Sequence, residues 1–231
     1  MKIIIYFFLF IIAIEACQTE VDQPKEIGLA LCPTNIGREV VYSVDSIVYD
    51  DFKQRDDNKP DSFNFQLREV ITSKFTDNTG KDAYKIIVYK RMNDSFNWEP
   101  YKVVSMNVNL ENMQKVEDNI RFLKLSFPVS ANKTWNGNIY NSLNPKNYTY
   151  SKMYFNGKVG SFILDSLVSV EQENDSNFIE KNLSKEIYAS SIGLVYGQYD
   201  SINYQGSYNQ STKKYYWKGL LLRKTMLSHK P

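Results

Sequence analysis

Residues 62–92 read SFNFQLREVITSKFTDNTGKDAYKIIVYKRM, and this stretch decides the fold class. Most of its apolar side chains fall at every second position from Phe63 to Phe75, with polar side chains between them. That period is typical of a β-strand with one buried face. A tight turn at Asp77–Gly80 follows, and Ala83–Met92 then alternates again. The stretch therefore predicts an antiparallel β-hairpin.

The same alternation continues along the chain in both directions. It predicts further strands in six stretches: 40–52, 98–110, 121–129, 162–170, 187–196 and 215–227. Residues 111–119 fit either a continuing hairpin or a short helix, 141–150 resemble a loop, and 198–212 a polar, aromatic hairpin or loop. The pattern favours an all-β domain with at most short helices, built as an antiparallel curved sheet in an open barrel or a sandwich.

Composition removes several classes of protein. The 231 residues, 42% hydrophobic and 14% aromatic, are enough for one domain with a substantial core. Lys and Arg number 28 against 26 Asp and Glu, and this balance argues against a nucleic-acid partner. One His and two Cys are too few for a zinc site or for most histidine- and thiol-based catalysis. We therefore expect neither a metal nor a cofactor.

The N-terminus has the layout of a secretory signal. Lys2 precedes an apolar run at Ile3–Ile14, and the small residue Ala16 follows before Cys17. The run is too short to span a bilayer, which requires about 20 residues. Cleavage after Ala16 by an ordinary signal peptidase would leave Cys17 free to pair with Cys32 in an oxidising envelope.

The end of this signal, Ile14-Glu15-Ala16-Cys17, resembles the lipobox of bacterial lipoproteins. Glu15 departs from the small or hydroxyl residue that is usual at its position. The resemblance implies that Cys17 becomes the lipidated first residue of the mature chain, held in the membrane by several acyl chains. In bacterial lipoproteins, an Asp directly after the lipidated Cys is associated with retention in the inner membrane. This chain has Gln18 at that position, so the resemblance implies that the protein lies at the outer membrane. The periplasmic and the surface orientation both stay open.

The chain then divides into four parts. Residues 1–16 form the signal peptide, 17–36 the lipidated Cys and a tether, 37–228 a single β-rich domain, and 229–231 a tail. Residues 18–36 are interpreted as a tether because they lack sustained periodicity, apart from one short helical turn around Ile27–Leu31. The tail holds His229, and a terminus that frays argues against a catalytic triad there.

Three stretches together resemble uncharacterised lipoproteins of the Bacteroidetes type: 42–47 (YSVDSI), 121–137 and 186–196. The likeness spans most of the mature chain and implies no activity. The same pieces also resemble the curved antiparallel sheet of periplasmic lipoprotein carriers, in which a Trp after a turn packs into the concave face. That resemblance implies a concave-face position for Trp135.

Carboxylates offer only weak candidates for a reactive site. Asp50-Asp51, Asp56-Asp57 and Glu117-Asp118 are adjacent pairs, and neighbours on a strand point to opposite faces of the sheet. The acidic loops near Asp56 and Asp77 could offer calcium about four oxygens, where six to eight are usual. We interpret these residues as turn formers, and expect no metal site.

Aromatic residues concentrate near the C-terminus, interleaved with Lys213-Lys214. The candidates for an interface or a ligand site are Tyr199, Tyr204, Tyr208, Tyr215, Tyr216 and Trp217. Tyr and Trp are favoured at protein interfaces and can stack on sugar rings. They could equally cover the edge of the core on a β-hairpin.

These observations predict a lipid-anchored envelope lipoprotein whose non-catalytic β-domain binds a partner, either an envelope protein or a small apolar or sugar ligand. One alternative is a carrier that shelters an apolar ligand on its curved sheet, which requires a large apolar cavity. A less favoured alternative is a carboxylate-dependent hydrolase, which requires two acids roughly 5–10 Å apart in a cleft.

Overall fold

Fourteen strands and one short 3-10 helix make up the described part of the chain, residues 27–51 and 59–231 of a computed structural model. The helix is Leu29–Leu31. The strands are β1 (Glu39–Tyr49), β2 (Asp61–Thr76), β3 (Asp82–Arg91), β4 (Glu99–Val108), β5 (Asn112–Glu117), β6 (Ile120–Ser126), β7 (Thr134–Asn136), β8 (Asn147–Val159), β9 (Phe162–Ser176), β10 (Glu180–Ala189), β11 (Gly193–Asn203), β12 (Tyr208–Asn209), β13 (Lys214–Tyr215) and β14 (Lys218–Lys230).

Twelve of the strands form one antiparallel sheet, in the order β6-β5-β4-β3-β2-β1-β14-β11-β10-β9-β8-β7. Two meanders, β1–β6 and β7–β11, are joined by β14, which pairs with β1 on one side and β11 on the other. Strands β12 and β13 form a separate small hairpin. The predicted all-β antiparallel fold is confirmed, and residues 111–119 continue as the β5–β6 hairpin rather than as a helix.

The sheet curls until its two edge strands meet, which gives a nearly closed, barrel-like shape. The backbone NH of Leu123 in β6 donates to the carbonyl of Gly137, just after β7, at 2.8 Å. The Tyr150 hydroxyl donates to the carbonyl of Ser126 at 2.9 Å. These bonds satisfy edge groups that an open sheet would leave exposed.

Two clusters of buried apolar side chains fill the interior. The larger joins side chains of β2–β6 to those of β7–β10, with Leu125, Val168 and Val170 almost fully buried. The smaller lies under β1 and β14, around Val40 and Met226. In β1 the buried residues Val40, Tyr42 and Val44 recur at every second position, as the sequence period predicts.

The segment that precedes β1 packs against one end of the sheet, here called the lower end. Leu31 and Cys32 are buried in the larger core cluster, and the helical turn predicted near Ile27–Leu31 is present. The backbone NH of Ser191, in the β10–β11 turn, donates to the carbonyl of Ala30 at 2.7 Å. The folded part therefore begins by Ile27, whose carbonyl accepts a hydrogen bond from the backbone NH of Val129 at 3.3 Å. Leu31 and Cys32 are the side chains of this segment that complete the core.

The C-terminus is also more ordered than the sequence indicates. Strand β14 runs to Lys230, and His229 pairs with Val40 of β1. The His229 ring lies 6.3 Å from the Phe162 ring, centroid to centroid. Residues 229 and 230 therefore belong to the sheet rather than to a tail, because β1 supplies a pairing partner along the whole of β14.

No helix among residues 27–51 and 59–231 is long and apolar enough to cross a membrane. Cys17 lies outside the described residues, so its lipidation and its pairing with Cys32 both stay predictions. The Cys32 side chain is buried, and burial raises the pKa of its thiol well above the ordinary range.

Candidate functional site

A cavity of about 340 Å³ lies inside the opposite end of the sheet, here called the mouth. The mouth is formed by the last residues of β1, β3 and β11 and the first residues of β2, β4 and β14. Tyr101 and Tyr199 line the cavity and are 55% and 41% exposed, so the cavity opens to solvent there. Its volume falls within the usual range of small-molecule sites, roughly 300–1,000 Å³.

One part of the cavity wall is apolar, whereas β9, β10 and β11 contribute the polar residues Gln172, Ser184 and Gln198. Four neighbouring strands, β14, β1, β2 and β3, contribute five apolar side chains to the lining: Leu222, Val44, Phe65, Leu67 and Val88. Val44 of β1 lies opposite Phe65 of β2, so both side chains point inward from adjacent strands. This apolar wall can exclude water from the apolar part of a ligand.

The floor of the cavity is charged. Five side chains form a chain of ion pairs in the order Lys224–Glu69–Lys115–Glu117–Lys102, which we call the charged floor. The ammonium of Lys224 lies 2.5 Å from a carboxylate oxygen of Glu69. The ammonium of Lys115 lies 3.7 Å from Glu69 and 3.8 Å from Glu117. Lys102 contacts Glu117 closely.

Burial and mutual pairing set the charge states on the floor. Burial alone would raise the pKa of Glu69, but Lys115 and Lys224 hold it well below its usual range. Burial alone would lower the pKa of Lys115, but Glu69 and Glu117 raise it above its ordinary value. Burial outweighs Glu69 at Lys224 and lowers the pKa of that lysine. Glu69 is thus ionised and Lys115 protonated at neutral pH.

A third carboxylate at the floor is fully partnered. Glu186 accepts hydrogen bonds from Gln172 at 2.8 Å and from the Tyr188 hydroxyl at 2.7 Å. The ammonium of Lys124 lies 2.6 Å from Glu186. The negative charge of Glu186 is therefore compensated by one lysine, Lys124.

Two smaller cavities adjoin the charged floor. One of about 280 Å³ extends toward Lys146 and Tyr148, and one of about 60 Å³ lies toward Cys32 and Arg38. Lys115 lines both of these cavities as well as the main one. It is therefore at the centre of the accessible interior.

Trp135 lies in the larger core cluster, 8% exposed, and does not line the main cavity. Its ring centroid is 4.6 Å from that of Tyr150 and 6.1 Å from that of Tyr148. The structure thus places Trp135 among packed side chains near the junction of the edge strands. Its contacts are those of a structural residue.

The structure separates the six C-terminal aromatic candidates. Tyr199 alone lines the main cavity. The others belong to the hairpin between β11 and β14, where Tyr204 and Trp217 lie 5.0 Å apart and Tyr208 and Tyr215 also 5.0 Å apart, centroid to centroid. Tyr216 is buried, and its hydroxyl accepts a hydrogen bond from Asn209 at 2.6 Å. Four of these five rings therefore pack in pairs, and Trp217 also lies 5.3 Å from the Tyr49 ring.

The acidic candidates do not assemble into a metal site. Among the residues that the structure describes, no cluster of three or more His, Cys, Asp or Glu side chains could hold a metal ion. Asp77 accepts hydrogen bonds from the backbone NH groups of Thr79 and Lys81, as a turn former does. The adjacent acidic residues Glu117 and Asp118 are separated: Glu117 lines the cavity and Asp118 is exposed. The pair Asp56-Asp57 lies outside the described residues.

Two charged residues in otherwise alternating strands could have indicated the charged floor from the sequence. Glu69 follows Phe65 and Leu67 at the next inward-facing position of β2, and Lys224 follows Leu222 in the same way in β14. The alternation predicts apolar residues at both positions. A charged residue at such an inward-facing position indicates that the interior is polar there.

Comparisons with known proteins give little beyond this geometry. No protein-family model matches the sequence, and no curated protein matches it. A crystal structure of a Bacteroides fragilis protein inferred to be exported, with a YmcC-like fold, is similar, with a TM-score of 0.39 and 10% sequence identity. The similarity covers 86% of this chain and 98% of that chain.

Proposed function

We propose that this protein is a lipid-anchored envelope lipoprotein whose non-catalytic β-domain binds a small ligand with a substantial apolar part. The observation that carries the proposal is the cavity of about 340 Å³, which is open at the mouth and has an apolar wall on β14, β1, β2 and β3. A cavity of this kind favours a small ligand over a protein partner, because protein interfaces are larger and flatter.

The anchor rests on the sequence. The signal-like run and the lipobox-like Ile14–Cys17 support acylation of Cys17, and Gln18 supports the outer membrane. Residues between Cys17 and Ile27 can extend by at most roughly 35 Å, so an acylated Cys17 would keep the domain close to the leaflet.

The charge states support binding rather than hydrolysis. A glycosidase-type mechanism needs one carboxyl with a raised pKa to act as a general acid. Neighbouring lysines lower the pKa of both Glu69 and Glu117, which is the opposite shift. Both carboxylates are therefore suited to holding lysines in place.

The apolar wall also supports the carrier alternative, in which the domain moves its ligand through the envelope. Phe63, Tyr101 and Tyr199 surround the mouth and are 49%, 55% and 41% exposed. Exposed aromatic side chains at an opening can contact an apolar ligand as it enters. Binding and carriage share the same cavity, so one binding experiment tests the requirement common to both.

The test is calorimetric titration of decanol into the mature chain, produced from Cys17 onward without acylation. Gly197 lines the cavity, and a Cβ there would meet its nearest neighbour, the Lys224 Cβ, at 3.7 Å, so a larger side chain can enter the cavity. We expect Gly197→Trp to fill the cavity and weaken decanol binding by about tenfold or more, since buried methylenes contribute about 0.8 kcal/mol each.

Ser228→Phe provides the matched control, because Ser228 is exposed near the end of β14. It should bind decanol as the wild-type chain does, and thermal unfolding should show that both variants are folded. Failure of the wild-type chain to bind decanol, or equal binding by a folded Gly197→Trp variant, would refute the proposal.

A further inference from the structure

We infer that Lys115 binds an anionic group of the ligand, so that the cavity accepts an amphipathic anion: an apolar chain that ends in a group such as a carboxylate. This inference rests on the proposed function and specifies its ligand class. It follows from the arrangement of charges on the cavity floor.

The charged floor has one lysine more than it has carboxylates. Glu69 is closely paired with Lys224, and Glu117 is closely paired with Lys102. Lys115 lies between the two carboxylates, at 3.7 and 3.8 Å, and both distances exceed the usual range of a hydrogen bond. Lys115 is therefore a positive charge whose neighbours are already engaged by other lysines.

The other charged groups around the cavities do not cancel this surplus. Glu186 is paired with Lys124, and Glu173 is paired with Lys146. Asp118 lies 3.8 Å from Lys102, but its side chain is 75% exposed, so solvent screens its charge from the floor. The Arg38 guanidinium is close enough to Glu69 to affect its pKa, and it adds a further positive charge to the floor. Glu69 and Glu117 keep Lys115 protonated, but neither carboxylate lies within hydrogen-bond distance of its ammonium, so the N–H donors of that ammonium can bind an anion.

The position of Lys115 suits the recognition of an anionic end group. Its side chain is only 18% exposed, yet it lines the main cavity and both cavities beside it. Phe65, Val88 and Leu222 line the same main cavity. An anion held at Lys115 could therefore keep its apolar chain against these walls, with the chain directed to the mouth.

The experiment compares three probes with the same alkyl chain: decanoate, decanol and decyltrimethylammonium. Calorimetric titration of the mature, unacylated chain should show decanoate binding at least about tenfold more tightly than decanol, as expected for a charge-assisted hydrogen bond. Decyltrimethylammonium should bind more weakly than decanol, because its positive charge is repelled by the positive charge of Lys115.

Lys115→Met removes the charge and keeps a long, flexible side chain. Each carboxylate of the charged floor keeps one close lysine in this variant, so we expect it to fold. Its affinity for decanoate should fall to that for decanol, and its affinity for decanol should stay within about twofold of wild type. Lys81→Met, in the exposed β2–β3 turn at the lower end, is the matched control and should leave all three affinities unchanged.

Glu117→Gln gives a second, opposite readout, because removing this carboxylate increases the positive charge beside Lys115. Decanoate affinity should rise in this variant. Equal affinities for decanoate and decanol in the wild-type chain, or a decanoate preference that survives Lys115→Met, would overturn the inference while the proposed cavity site stands. Absence of binding by all three probes would overturn both.

Discussion

The indole nitrogen of Trp135 in β7 donates a hydrogen bond to the carbonyl oxygen of Leu123 in β6, at 3.0 Å. These residues belong to the two edge strands of the twelve-stranded sheet, so the bond crosses the junction that closes the sheet. The bond therefore helps to keep the two edge strands together and to limit the access of water at their junction. Trp135 thus supports the cavity indirectly, by holding the edges together.

Trp135→Phe should lower the free energy of unfolding by about 1–3 kcal/mol, because it leaves the buried Leu123 carbonyl without its indole donor. Urea unfolding monitored by circular dichroism measures this change. Phe178, at the tip of the β9–β10 hairpin, is 100% exposed, and Phe178→Ala should change stability by no more than about 0.5 kcal/mol. A Trp135→Phe variant as stable as wild type would show that the junction does not depend on this bond.

Glu69→Gln should destabilise the protein at neutral pH by about 3–5 kcal/mol, because it leaves Lys115 and Lys224 buried without their shared carboxylate. The folded state holds the pKa of Glu69 below its unfolded value, so its stabilising contribution is present above the unfolded pKa. That contribution is lost as the pH falls from about 4.3 toward the lower folded pKa.

Urea unfolding of wild type and Glu69→Gln over a series of pH values therefore should show a stability difference that shrinks below about pH 4. Glu111→Gln, at an exposed turn position, should match wild type at every pH. A difference that stays constant down to about pH 2 would mean that Glu69 is not the ionised partner of the two lysines.

Gly219 and Gly197 should respond differently to alanine. A Cβ at Gly219, where φ is +143°, would come within 2.0 Å of the Ser201 carbonyl oxygen, whereas one at Gly197 meets nothing closer than 3.7 Å. Gly219→Ala should therefore cost more than about 2 kcal/mol of stability, and Gly197→Ala less than about 1 kcal/mol. Thermal unfolding of the two variants checks this, and a reversed order would contradict the β11–β14 pairing at the mouth.

Acylation of Cys17 predicts where the protein fractionates. Mass spectrometry of the protein isolated from the membranes of its own cells should find a chain that begins at Cys17 and carries acyl groups. Cys17→Ser should abolish that modification, whereas Cys32→Ala, at a buried core position, should leave the protein in the membrane fraction. An unmodified Cys17, or a disulfide between Cys17 and Cys32, would remove the anchor from the account.

The sequence predicts the strands well where alternation is regular and poorly where it is interrupted. The β2–β3 hairpin is present as predicted, because apolar residues recur at every second position. Strand β8 begins at Asn147, in a stretch interpreted as a loop, and its pairing with β9 shifts register at three places. Each shift moves the following side chains to the other face, so no continuous period survives in the sequence.

The site was harder to predict than the fold. The charged floor combines Glu69 of β2, Lys115 of β5 and Lys224 of β14, which are distant in sequence. They meet because β14 pairs with β1 and because the sheet curls, and both are long-range events that local patterns do not specify. The concentration of aromatic residues near the C-terminus predicted an interface or ligand site, but of these six residues only Tyr199 lines the main cavity.

The most direct test of the account is a crystal structure of the mature chain with decanoate that carries a terminal bromine. The account predicts an anomalous bromine peak between Phe65 and Leu222, inside the mouth, with the carboxylate at the Lys115 ammonium. A bromine peak on the hairpin that carries Tyr208 and Trp217, or a cavity that stays free of the probe at saturating concentration, would contradict it.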